Sequence, residues 1–425
     1  MRVVNETRKT FTKIPFILYR LLDAQVVRDR KGTSLNFKQS VAKLTDENRF
    51  QVNSIQIRLS KPLSPGASIE IIMNYRGSVY GYPEIMRYVQ DRVSEQYSLI
   101  RPDGLSYPVL ACPTLECYMN TYQSTFSYDV RVTVPSGYVA ACGGILMGTI
   151  EQEGTTTFLY QSKVPTWRID IAVAKFNVLR DEENKLLVYA LPEDEQGAVA
   201  VLEGVKRAIG FYSQMFGGVR DYQGYTVIEI PDGWGSQAGD LYILQTAAAF
   251  EDARRIPGVY HELAHTWNVK AKPGVQRCRW FDEGFASYFD ALAVREFQGQ
   301  KALEDKMASY REIFIQRVQK DEKNYSTPIA EYGRYELGEN SYLKGPWVLY
   351  VLHQIVGEER FRQIIRRFLS EFKNRPADFK DFQKVAEQVA DKDLSKFFGE
   401  WIMGTASSKY LIDRIPVQEI AQMYQ

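Results

Sequence analysis

Val259-Tyr260-His261-Glu262-Leu263-Ala264-His265-Thr266-Trp267 is the stretch on which the reading of this chain turns. Two of the three histidines in 425 residues lie here, four positions apart, with Glu262 between them. On an α-helix that spacing sets both imidazoles on one face, about 5–6 Å apart at Cβ, where a single metal ion can bridge them. Glu262 then projects beside the ion, where a general base is needed. The stretch therefore predicts a helix over 252–268 that carries one zinc ion and a built-in base.

A surface helix with two chance histidines would predict nothing at a distance, whereas a zinc site demands a third ligand. Seventeen residues separate His265 from Glu283, which sits in Trp280-Phe281-Asp282-Glu283-Gly284-Phe285-Ala286-Ser287-Tyr288-Phe289. This segment is amphipathic and predicts a second helix over 281–297, with Glu283 in its first turn. Two histidines and one carboxylate leave a tetrahedral position free, as hydrolytic sites do; structural zinc sites are closed by four ligands and are usually rich in cysteine. Ligand histidines need an acceptor for their second ring nitrogen. Asp290, seven residues beyond Glu283 and about two turns along the same face, is the candidate, against the plainer reading of a solvent-facing carboxylate. His353 reads as a packing or surface residue.

Composition narrows the partners. Lys plus Arg number 53 against 52 Asp plus Glu, a balance that gives no reason to expect nucleic acid or an anionic membrane. No apolar run approaches the ~18–20 residues of a membrane span, and the first residues lack the apolar core of a signal peptide, so a cytoplasmic location is expected. The oligomeric state is left open. Cys112, Cys117, Cys142 and Cys278 are too few and too scattered for a zinc finger and are expected as ordinary reduced thiols.

Up to about residue 178 the apolar pattern has a period of two, as in Ile55, Ile57 and Leu59 or Phe126, Tyr128, Val130, Val132 and Val134, with Pro65-Gly66 and Ser136-Gly137 as turns. Residues 1–178 are thus expected as a β-domain, a sandwich or folded-over sheet. The charged run Arg180–Lys185 marks its boundary. Residues 179–425 keep a few short strands, at 186–190, 225–230 and 241–244. Helices are expected at 198–216, 301–319, 347–357, 358–373, 379–390 and 393–403, with Phe361, Ile364, Ile365 and Phe368 as a core stripe.

Taken in order, His261-Glu-Leu-Ala-His265-Thr-Trp267, Asp282-Glu283-Gly-Phe-Ala-Ser-Tyr288 and Ser341-Tyr342-Leu-Lys344-Gly345 resemble the three catalytic-domain motifs of the aminopeptidase N family. These are gluzincin zinc metallopeptidases related to leukotriene A4 hydrolase. Pro62–Gly66, Asn74–Gly77 and Phe126–Pro135 look like the family's N-terminal β-domain. Residues 265–270 are also similar to the glycyl aminopeptidase family. The resemblance implies a multi-domain α+β protein: a saddle-like β-domain over 1–178, and a thermolysin-like, mainly helical catalytic domain over 179–425. It further implies peptide substrates and a transition-state role for Tyr342, whose hydroxyl would hold the oxyanion.

Three departures accompany the resemblance. The loop between His265 and Glu283 is one residue shorter than the family's usual spacing. No large C-terminal helical domain is expected, because the chain stops soon after Trp401. The family's Gly-x-Met-Glu-Asn, whose glutamate holds the substrate's free amine, is replaced by Gly233-Trp-Gly235-Ser-Gln-Ala238-Gly239-Asp240. Asp240 is a candidate substitute, against its reading as a turn aspartate. The expectation is a zinc aminopeptidase, with two alternatives: an endopeptidase or processing peptidase indifferent to a free N-terminus, and a non-catalytic scaffold on a peptidase fold.

Overall fold

The computed structural model describes the whole chain, Met1–Gln425. It condenses into two compact units that interleave along the sequence: Met1–Arg180 with Leu187–Glu195 and Tyr225–Ala247, and Asp181–Leu186 with Gln196–Gly224 and Ala248–Gln425.

The first unit is built of sheets. Alternation decides which strand faces which way: in Gln51–Leu63 the side chains of Ile55, Ile57 and Leu59 are buried while Gln56, Arg58 and Ser60 are exposed. That strand pairs antiparallel on both sides, with Phe11–Tyr19 and Phe37–Lys43. Their inward residues share a core with Tyr82 and Tyr118. A further sheet runs in the order Asn177–Asp181, Leu186–Ala190, Tyr225–Ile230, Tyr242–Thr246, Gln237–Gly239. Tyr225–Ile230 is buried at every position and pairs parallel with Tyr242–Thr246, which explains its unbroken apolar character. The strand expected at 241–244 begins one residue later because Leu241 takes a left-handed turn, φ 64°.

One expectation is overturned here. Cys112 and Cys117 are joined in a disulfide, not reduced. Thr114 caps the short helix Leu115–Thr121 by accepting from the Cys117 amide, which curls the loop until the two Cα atoms are 5.8 Å apart, inside the range a disulfide spans. Such bonds persist mainly in oxidising compartments. Cys142 and Cys278 are free and buried.

The second unit is helical. Phe285–Gln298 is its axis, buried on every face from Phe285 through Val294, with Ser287 and Asp290 the polar residues of that stretch. Ile256–Ala264 packs on it through Ile256, Val259, Tyr260, Leu263 and Ala264, an i, i+3, i+4 stripe that leaves His261 and Glu262 off the apolar face. The stripe of Glu358–Glu371 is buried at Phe361, Ile364, Ile365 and Phe368, where Phe368 meets Phe281, Phe285 and Phe382. The helix expected over 393–403 is split into Ser395–Phe398 and a π-turn, Gly399–Met403. No helix is long and apolar enough to cross a membrane.

Candidate metal centre

The short helix Ile256–Ala264 begins with a proline in its first turn and tightens into a 3-10 turn at His265–Trp267. The expected single helix over 252–268 is therefore shorter, yet His261 and His265 still share a face, with ring centroids 5.1 Å apart. The second segment departs from an α-helix where it matters. Trp280–Gly284 forms a π-turn, a local widening that recurs at functional sites, before the α-helix starts at Phe285. Glu283 is carried on that turn.

Two glycines let a third segment approach. A Cβ on Gly345 would lie 2.9 Å from the Gly284 Cα, so only paired glycines allow this contact. Trp280 Nε1 donates to the Gly345 carbonyl (3.2 Å), and the Ser341 hydroxyl donates to the Cys278 carbonyl (2.6 Å). The 3-10 turn Gly338–Tyr342 is thereby fixed beside Glu283, and the Tyr342 ring lies nearly parallel to that of His261, 5.8 Å away.

Within this frame the electron-pair donors of His261, His265 and Glu283 converge within 4.8 Å of one another. Glu283 Oε2 is 3.1 Å from His261 Nε2 and 3.6 Å from His265 Nε2. Ligands about 2.0–2.2 Å from a tetrahedral zinc lie roughly 3.3–3.6 Å from one another, so these spacings and this N, N, O donor set fit that ion. On the far side of the rings, His261 Nδ1 faces Asp290 Oδ2 at 3.3 Å. Asp290 is buried and is itself held by Lys306 at 2.6 Å, with the Tyr310 hydroxyl at 3.5 Å. His265 Nδ1 lies 3.0 Å from Asp282 Oδ1, though off hydrogen-bond alignment; Asn268 Nδ2 donates to the same oxygen (2.9 Å).

Electrostatics agree with a cation-seeking pocket. Burial alone would push the His261 imidazole down, but Asp290 and Glu283 outweigh it and hold the metal-free ring protonated up to about 10. His265 is raised too, with Asp282 and Glu283 overcoming burial. Glu262 is raised by burial, partly offset by the two histidines. Glu283 goes the other way: against burial, Arg279 and the histidines keep its carboxyl well below the usual carboxylate range.

Arg279, Asp282 and Lys306 escaped the sequence reading. Arg279 stands four residues before Glu283, a spacing that would have signalled an ion pair had the segment been read as helical from its start. Lys306 arrives from Gln300–Lys320, which no local pattern ties to Asp290. Asp240 is not among the converging groups; it occupies the turn between Gln237–Gly239 and Tyr242–Thr246 in the other compact unit, with one carboxylate oxygen buried and unpaired. His353 is buried, bonded to the Tyr288 hydroxyl (2.7 Å) and facing Glu358 (3.1 Å).

Residues 240–401 match the Peptidase family M1 domain. Endoplasmic reticulum aminopeptidase 2 of Homo sapiens is 25% identical over 295 residues, covering 63% of this chain and 30% of that protein. Glutamyl aminopeptidase of Rattus norvegicus is 24% identical over 268 residues, covering 58% of this chain and 28% of that protein. The chain thus spans less than a third of the length of these curated relatives. Among solved structures, an M1 zinc metallopeptidase from Deinococcus radiodurans superposes with a TM-score of 0.66 at 18% identity, covering 94% of this chain and 88% of that one. A mutant of it, bound to a Tyr-Ser-Ala substrate, gives 0.65 at 18% identity, covering 95% and 89%. Over residues 240–401 the chain is thus similar to the M1 peptidase domain, it shares the fold of these zinc metallopeptidases, and it brings His261, His265 and Glu283 together as a possible metal site.

Proposed function

We propose that this chain is a zinc-dependent metallopeptidase holding one ion, and more narrowly an aminopeptidase that removes N-terminal residues from peptides. The convergence of His261 Nε2, His265 Nε2 and Glu283 Oε2 carries the reading. Residues 1–178 are read as a saddle-like β-domain and 179–425 as a thermolysin-like catalytic domain.

A bound zinc ion supplies Lewis acidity and brings the pKa of water toward about 7. Glu262 takes the proton of the attacking water and returns it to the leaving amine; its raised pKa suits a base that must also act as an acid near neutral pH. Tyr342 donates its hydroxyl hydrogen to the carbonyl oxygen as the carbon becomes tetrahedral. Its phenol stays protonated, because burial and then Glu283 raise its pKa well above the ordinary value. Asp290 fixes the His261 ring by accepting from Nδ1, which leaves Nε2 as the ligand nitrogen. The candidate for the substrate's free amine is Asp240, by its place in the stretch Gly233–Asp240 that stands for the family's Gly-x-Met-Glu-Asn.

A second reading, a peptidase that ignores the N-terminus, is favoured by one observation: Gly233–Ile243, which stands for the family's Gly-x-Met-Glu-Asn in the resemblance, contains no glutamate. Hydrolysis of an aminoacyl fluorogenic amide beside its N-acetylated form decides between them. The aminopeptidase reading predicts cleavage of the free amine only, and equal rates on both would overturn it.

A further inference from the structure

Arg279 is the one cation that reaches both a ligand and the oxyanion tyrosine among the groups described at the centre. Its Nη2 donates to Glu283 Oε1 and, at 3.2 Å, to the Tyr342 hydroxyl oxygen, while Nη1 donates to Glu339 at 2.7 Å. The guanidinium also lies 5.3 Å from the Tyr342 ring centroid. Arg279 takes a left-handed backbone, φ 57°, immediately before the π-turn, so the residue is built into the geometry that carries Glu283.

We propose that Arg279 is a positioning residue with two effects: it makes Glu283 a one-oxygen ligand and frees the Tyr342 hydroxyl hydrogen for substrate. The first follows from the division of labour on the carboxylate. Oε2 faces the two imidazole nitrogens at 3.1 and 3.6 Å, whereas Oε1 is occupied by the guanidinium. A carboxylate so tied cannot swing to chelate through both oxygens, and the remaining coordination position stays free.

The second effect follows from hydrogen-bond valence. Glu283 Oε1 and the Tyr342 hydroxyl bond the same Arg279 nitrogen and so are neighbours; a hydroxyl that donated to this carboxylate would consume the hydrogen needed by the oxyanion. Arg279 competes for Oε1 and simultaneously donates to the phenol oxygen. A hydroxyl that accepts there keeps its hydrogen to donate, and with Oε1 taken up by the guanidinium the carboxylate is the poorer competitor for it. Both acceptors are served by Nη2, whose two N–H bonds lie in the rigid guanidinium plane that Nη1 anchors on Glu339.

This inference rests on the metallohydrolase reading, and the experiment separates the two. Arg279→Gln and Arg279→Lys are made alone and with Tyr342→Phe. Zinc affinity is read by competition with a chromophoric chelator, and kcat and KM on an aminoacyl amide. Arg279→Gln is expected to weaken zinc roughly 10–100-fold, the usual effect of losing a partner that orients a ligand. It should also lower kcat at least about tenfold with KM held within about twofold, a transition-state signature. With Tyr342 already replaced by Phe, the further loss in kcat should shrink below about twofold, because the two residues act as one unit. Arg279→Lys, keeping the charge without the fork, should recover zinc affinity more fully than kcat.

Unchanged zinc affinity in Arg279→Gln, or kcat losses that simply multiply in the double variant, overturns the assignment. Wild-type protein that holds zinc yet hydrolyses no peptide would instead sink the hydrolase reading. The chelator arm would still decide the bond between Arg279 and Glu283.

Discussion

Two clusters of buried charge sit in this molecule, one in each compact unit, and they are built on opposite plans. In the sheet unit, Arg101 and Arg168 are fully buried among Asp91, Asp103 and Asp170. Arg101 donates to Asp91, Gln237 and the Tyr88 and Trp234 carbonyls, and Arg168 to Asp103, Gln237 and both oxygens of Asp170. Gln237 Nε2 and the Tyr242 hydroxyl take up further carboxylate lone pairs. Two guanidinium groups thus face three carboxylates, and every carboxylate oxygen but Asp91 Oδ2 has a donor. In the helical unit, two imidazoles and a carboxylate aim their lone pairs at a common point, and their outer atoms are held by Asp290, Asp282 and Arg279. Buried charge marks structure where donors meet acceptors, and a ligand site where acceptors meet one another.

Mutations should break the two clusters differently. Glu262→Gln should retain zinc but lose turnover by about 10²–10⁴-fold, the contribution of a positioned general base, when initial rates and metal content are measured on one sample. Arg168→Met should do the reverse. It takes the ion-pair partner from the buried carboxylates of Asp103 and Asp170 at a cost of about 3–5 kcal/mol in denaturant unfolding, while the zinc content stays at one per chain. A variant as stable as wild type would show that the matched network contributes no cohesion. Tyr342→Phe should fall about 10²–10³-fold in kcat with zinc affinity intact, as expected for a single oxyanion donor.

The helical cluster alone should titrate against metal. The metal-free His261 keeps its proton up to about 10, and His265 is raised as well, whereas zinc takes both as neutral rings. Binding therefore expels protons between the ordinary histidine pKa and about 10, and zinc affinity must rise with pH across that window. Chelator competition at a series of pH values should show about a tenfold gain per pH unit for each proton displaced. A flat profile would mean that the rings are already neutral without metal. The smallest effect is expected from Asp290→Asn, which keeps the shape but weakens the pull on His261 Nδ1, and should cost about tenfold in zinc affinity.

The contrast between the clusters also measures what the sequence discloses. His261, Glu262 and His265 were legible because a helix converts spacing into a shared face, and Glu283 because hydrolytic zinc needs a third ligand. The same periodicity made Asp290 a candidate beside the reading of a solvent-facing carboxylate, and the fold buries it 3.3 Å from His261 Nδ1. Leu186–Ala190 and Tyr225–Ile230 were found to the residue, as short apolar runs bounded by Lys185, Gly224 and Pro231. Arg279 was hidden because a π-turn, invisible to a 3.6-residue pattern, begins right after it. Lys306, and the whole Arg101 and Arg168 network, depend on tertiary meetings between segments far apart in sequence. The Cys112–Cys117 bond turned on a single cap at Thr114, which local spacing does not reveal.

Metal analysis of the purified protein, wild type beside His265→Ala and Glu283→Ala, tests the central claim most directly. The account predicts one zinc per chain in the wild type, retained through dialysis, and a loss of most of that metal in each variant, since three ligands cannot spare one. Wild-type protein that binds no zinc, or a His265→Ala variant that keeps its full equivalent, would contradict it.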